Sequence, residues 1–119
     1  MAKNSYRDLL IWQKSIELIK DIYKLSEVLP RSEDYNLKQQ LKRAVVSIAL
    51  NIAEGKNRRT AKDFANFLNF AAGSLAETEA ILLICEELKY VQNPEPVYEK
   101  IEILGKMLSS LKTKLVKEN

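Results

Sequence analysis

The chain has 119 residues and a formal net charge of +3, with 46% hydrophobic and 29% charged residues, the balance of a soluble globular protein of one-domain size. It contains no histidine and a single cysteine. That removes the commonest general base, the Ser-His and Cys-His nucleophile arrangements, the imidazole ligands of most zinc and iron sites, and any intrachain disulfide. Three glycines and three prolines leave little material for turns, so residues 1–119 are expected to form one domain of few, long elements.

Residues 1–6 read as a polar lead-in, and Asp8 as an N-terminal charge for a first helix over about residues 8–29. Leu9, Trp12, Ile16, Ile19 and Tyr23 recur at helical spacing, with Leu18, Ile22, Leu25 and Leu29 on the adjoining face. Pro30 ends this helix, and a second begins between Ser32 and Asn36. Its inward stripe is Leu37, Leu41, Val45, Ile48 and Ile52, and Gly55 is expected to close it as a left-handed cap.

Within that second helix, the uncharged stretch Ala44 to Ala53 is apolar round most of its circumference. Such a helix needs partners on more than one side, so Val46, Leu50 and Ala53 are candidate subunit-interface residues.

Thr60, with Asp63 three residues on, is a capping-box-like start for a third helix over residues 61–90. Phe64, Phe67, Leu68, Ala71, Leu75, Thr78, Leu82 and Cys85 line one face, which Phe70, Ile81, Ile84 and Leu88 extend. Cys85 lies among apolar neighbours and is expected to be a buried, inert thiol. Gly73, mid-helix, suggests a close backbone approach.

Residues 92–96 form a turn before a fourth helix over residues 94–117, acidic at its start and lysine-rich at its end, as the helix dipole favours. Its apolar positions are Val97, Ile101, Leu104, Leu108, Leu111 and Leu115. Four helices with short connections predict an all-α, antiparallel up-and-down four-helix bundle; a domain-swapped dimer of helical hairpins is the structural alternative. The run Ala44 to Ala53 is far short of the roughly 20 residues that span a bilayer, and residues 1–30 show no signal-peptide pattern. A cytoplasmic protein without a membrane partner is expected.

Charge is uneven along the chain. Residues 35–62 carry seven basic and one acidic side chain, whereas residues 63–102 carry two basic and eight acidic ones. Such a gradient suits either an anionic partner or complementary helices lying side by side.

Several strings share one pattern: Asp8-Leu9-Leu10-Ile11-Trp12-Gln13-Lys14, Gln40 through Ile48, Asn51-Ile52-Ala53-Glu54-Gly55, Phe67-Leu68, and Ala72-Gly73-Ser74-Leu75-Ala76-Glu77. Over nearly its whole length the chain resembles the four-helix-bundle family named for proteins encoded in intervening sequences of bacterial 23S ribosomal RNA genes. It is also similar to the accessory protein of diversity-generating retroelements, a basic pentameric barrel that binds nucleic acid and works with a reverse transcriptase. The resemblance implies a bundle that assembles into a ring, with a pentamer known among relatives, and implies no reaction. The corner here reads Lys56-Asn57-Arg58-Arg59, whereas relatives often have a small residue and then one arginine, so no specific arginine role is carried over.

Three sets of residues stand out. Lys38, Lys42, Lys56, Arg58, Arg59 and Lys62 are the candidate nucleic-acid-binding residues, since lysine and arginine neutralise phosphate and release counterions; in a homo-oligomer, repeated copies add avidity. The alternative is a solvated loop that pairs with acidic helix faces. Arg43, Ser47, Asn51, Glu54 and Glu77 read as a structural polar network, within a subunit or between subunits, rather than an acid/base pair. Trp12 and the phenylalanines belong to a core or an interface, leaving Tyr6 and Tyr35 as the side chains freest to stack on bases. Gly55-Lys56 lacks the glycine and hydroxyl spacing of a phosphate loop. No catalytic residue, metal or cofactor is implied, and the expected partners are further copies of the chain and RNA or DNA.

Overall fold

The computed structural model describes residues 5–117; residues 1–4 of the polar lead-in lie outside the described residues. Four α-helices account for most of it: α1 (Leu10–Ser26), α2 (Leu37–Lys56), α3 (Ala61–Glu87) and α4 (Glu95–Lys117). Each packs against its neighbours in sequence, and α1 closes on α4, while the backbones of the diagonal pairs α1/α3 and α2/α4 stay farther apart. The result is the expected antiparallel four-helix bundle, 46 × 26 × 20 Å. The α2–α3 seam is the most extensive and the α1–α4 seam the least.

The helix ends have local causes. Tyr6–Asp8 form a 3-10 turn capped by Ser5, whose Oγ accepts from the Arg7 N–H at 3.2 Å, so Asp8 stands outside the first turn of α1. Tyr6 packs edge-on against Trp12 with ring centroids 4.7 Å apart. At the α2 start Asn36 does not cap; instead Glu33 Oε1 accepts from Asn36 Nδ2 at 3.0 Å and from the Leu37 N–H at 3.4 Å. Thr60 caps α3 as its sequence predicts, accepting the Asp63 N–H at 3.0 Å.

The C-terminus of α3 is a Schellman motif: the Tyr90 N–H reaches the Cys85 carbonyl and the Lys89 N–H the Glu86 carbonyl, both at 2.9 Å. Its left-handed position is filled by Lys89, at φ 63°, not by glycine.

The core contains Leu18 and Ile22 of α1, the predicted α2 stripe Leu37, Leu41, Val45, Ile48 and Ile52, Leu68 and Leu82 of α3, and Leu104 and Leu108 of α4. The inward line of α1 is shifted from the expected one. It runs through Ile11, Ser15, Leu18, Ile22 and Ser26, while Trp12, Ile16 and Ile19 are half-buried and Tyr23 is exposed. The two serines enter the core because their hydroxyls bond back to the Trp12 carbonyl at 2.7 Å and the Tyr23 carbonyl at 2.8 Å, which satisfies them without a distant partner. Thr78 does the same with the Ser74 carbonyl at 2.8 Å.

Two glycines depart from their expected roles within the chain. Gly55 is not a left-handed cap: it is buried inside α2, which continues to Lys56 and ends on Asn57 in right-handed conformation. A Cβ there would lie 2.7 Å from Phe67 Cβ and 2.9 Å from Phe64 Cδ1, so the absence of a side chain lets α2 and α3 meet. Gly73 has no neighbour within 4 Å of such a Cβ.

The outer side of α3 is less covered than its composition suggests. Its uncharged run, residues 64–76, is longer than the one in α2. By length and composition alone α3 is long and apolar enough to cross a membrane, and 33% of its most apolar stretch is buried within the bundle. Phe70, Ile84 and Leu88, expected to extend the core face, are about half exposed, as is Leu83.

Candidate nucleic-acid interface

The length of α2 divides the predicted basic set. Lys38 and Lys42 lie on the first turns of α2, whereas Lys56 ends it; at about 1.5 Å per residue the two groups are separated by about 20–27 Å along the axis. Lys38 is paired with Asp34 at 2.9 Å, and the Lys42 ammonium sits 4.8 Å from the centroid of Tyr23 on α1. Lys56, Arg58, Arg59 and Lys62 remain together at the α2–α3 corner, and none of them forms an ion pair among the described residues.

The corner is built by Gly55. Because α3 starts hard against it, Phe67 lies beneath the connection, and the Arg58 guanidinium carbon stands 4.5 Å from the Phe67 ring centroid. Phe67 is itself held edge-on by Phe70, centroids 5.5 Å apart. This fixes one guanidinium on an aromatic face with its N–H edge free for an anion.

The fold adds cations that contiguity along the chain does not reveal. The seam that sets Gly105 against Leu75 and joins Tyr98 Oη to Glu86 Oε1 at 2.9 Å runs antiparallel. It therefore carries the last turns of α4, with Lys114 and Lys117, back to the end where α3 begins. Arg7, before α1, lies at that end too. Seven basic residues from both ends of the sequence thus share the basic pole with few acids, chiefly Asp8, Glu54 and Asp63.

The polar set on the α2–α3 seam is partly joined. Ser74 Oγ donates to Ser47 Oγ at 2.9 Å, and Asn51 Nδ2 donates to the Ser47 carbonyl at 2.9 Å and to Ser47 Oγ at 3.2 Å. Ser74, next to Gly73 on α3, joins the set across the seam, a contact that sequence spacing does not reveal. Arg43 and Glu77 flank the same seam across a shallow cleft of about 260 Å³. Neither they nor Glu54 form an ion pair among the described residues. Leu50 points outward, 61% exposed, while Val46 and Ala53 are half-buried. Of the two free tyrosines, Tyr6 is engaged by Trp12, and Tyr35 is 91% exposed in the α1–α2 connection.

Elsewhere the titratable groups act structurally. Burial pushes the Cys85 thiol up, disfavouring the thiolate. Burial and the Glu33 carboxylate it donates to, at 3.2 Å, raise Tyr90, and burial with the Glu86 hydrogen bond raises Tyr98 further. Among the described residues no group of three or more His, Cys, Asp or Glu side chains converges on a metal position.

A sequence profile of the 23S rRNA-intervening sequence proteins matches residues 7–110. The chain belongs to this family. Its fold is similar to that of a protein of unknown function from the S23 ribosomal protein family of Bacteroides thetaiotaomicron, at a TM-score of 0.79 and 25% identity over 87% of this chain and 96% of that one. Comparison with curated proteins gives no match. The matched region contains all of α1, α2 and α3 with their connections, and thus the Asn51-to-Gly55 string and the basic corner, but stops before Lys114 and Lys117.

Proposed function

We propose that this family member is a nonenzymatic, homo-oligomeric protein that binds the phosphate backbone of RNA or DNA through its basic pole. The observation that carries the reading is the gathering of Lys56, Arg58, Arg59 and Lys62 with Lys114 and Lys117 at one end, with Arg58 ordered on Phe67. Phosphate contacts of this kind give sequence-independent, salt-sensitive affinity. Lys38 and Lys42, neutralised or shielded on α2, contribute less.

Assembly supports the same reading. Leu50 on α2 and Phe70, Leu83, Ile84 and Leu88 on α3 expose apolar surface, and Arg43, Glu54 and Glu77 have no ion partner among the described residues. A neighbouring copy supplies both needs, and the resemblance to ring-forming relatives suggests a pentamer. Repetition of the pole around a ring multiplies weak contacts into useful avidity.

The test is binding of generic RNA and double-stranded DNA at rising salt, on protein whose mass is known from light scattering. Affinity that falls steeply with salt and is lost in Arg58→Glu/Arg59→Glu supports the proposal. No affinity at low salt, or an unchanged affinity in that variant, rejects binding, and a stable monomer at micromolar concentration rejects assembly. If assembly survives and binding does not, the chain is a protein-interaction module.

A further inference from the structure

At the pole opposite the basic corner, the end of α1, the α3–α4 connection and the start of α4 enclose a cleft of about 660 Å³, within the size range of small-molecule sites. Its apolar walls are Leu25 and Val28 of α1, Val91 of the connection and Val97 of α4. Val28 is 64% exposed although it faces this cleft, so a seated apolar group would gain burial there.

Three lysines and one aspartate rim the walls. They are not equivalent. Lys100 is held by Asp21 at 2.6 Å, and Glu17 lies 3.9 Å from it, whereas Lys24 and Lys89 reach no carboxylate among the described residues. Lys89 also occupies the left-handed position of the Schellman motif, at φ 63°, where a glycine would avoid the steric cost of a side chain. Asn93, at the far side of the same connection, is left-handed too, at φ 53°. The cleft thus joins an apolar floor to a left-handed Lys89 whose ammonium has no ion partner among the described residues.

We propose that this cleft binds a small, soluble amphipathic anion: an apolar or aromatic body seated on Val28, Val91 and Val97, and one anionic head between Lys24 and Lys89. Neither the basic pole nor the outer face of α3 contributes to it, so this site stands or falls separately from nucleic-acid binding.

The probe is 8-anilinonaphthalene-1-sulfonate, which joins an aromatic body to one sulfonate, titrated into the full chain by fluorescence. The expected result is a saturable 1:1 complex that dodecanoate displaces and dodecanol displaces at least tenfold less well. Lys24→Glu/Lys89→Glu lowers affinity at least tenfold. Val28→Glu, at an exposed position, does the same without touching either lysine, and circular dichroism confirms that each variant is folded. Lys89→Gly separates the two properties of that residue, since it relieves the backbone yet weakens the probe several-fold. Probe binding that survives both charge reversal and Val28→Glu overturns the proposal, as does equal displacement by dodecanol. Displacement by phosphatidylglycerol vesicles at matched lipid concentration overturns it in favour of a membrane surface.

Discussion

The α2–α3 corner and the α3–α4 corner both reverse the chain between long helices, but they place glycine and strain in opposite ways. At the first, a glycine inside α2 admits Phe64 and Phe67 into the seam, and no residue of the turn is left-handed. At the second, no glycine is present, and Lys89 and Asn93 adopt left-handed conformations around an open cleft. The first corner is limited by packing, the second by backbone conformation. A tight corner presents its cations on a rigid aromatic base; an open one leaves apolar surface and unpaired ammonium groups in the same place.

The largest expected effect breaks the first corner. Gly55→Ala forces a Cβ to 2.7 Å from the Phe67 Cβ, and overpacking of this kind costs about 1–3 kcal/mol in denaturant unfolding. Phe67→Ala should not rescue it, because the clashing Cβ remains. Thr60→Ala removes the α3 cap and should cost about 1 kcal/mol.

At the second corner the sign reverses. Lys89→Gly should stabilise the chain by about 1 kcal/mol, visible as a higher denaturant midpoint with an unchanged slope. Gly73→Ala, where a new Cβ meets nothing within 4 Å, should stabilise by about 0.5–1 kcal/mol; a loss of assembly instead would show that a second copy packs on that face.

The smallest effect is a pH dependence. Folded Tyr98 holds its proton more tightly than unfolded tyrosine, through burial and its bond to Glu86. Its contribution is therefore complete below about pH 10 and fades as pH rises beyond that value. Tyr98→Phe should flatten this alkaline decline in stability; an identical decline in the variant would remove Tyr98 as its cause.

The comparison also explains what was readable in advance. The α2 stripe and the Thr60 cap depend on spacing and on side chains a few residues apart, so periodicity finds them. The α1 line was misjudged because Ser15 and Ser26 count as polar until their bonds to the Trp12 and Tyr23 carbonyls are seen. Within the chain it is Gly55 and not Gly73 that a neighbouring helix approaches, which position along a helix does not reveal. The basic corner is visible as neighbouring residues, and the length of the second helix already sets Lys38 and Lys42 apart from it, whereas its union with Lys114 and Lys117 rests on the antiparallel course of α4.

By itself, then, the sequence determined four amphipathic helices, their approximate ends, the bundle and the family signature, all of which arise from local propensity and apolar periodicity acting over a few turns. Only the tertiary structure decided which glycine makes the seam, which cations share a pole, and where an unfilled cleft remains. Those depend on the relative rotation and axial register of packed helices, set by the summed contacts of many side chains distant in the chain.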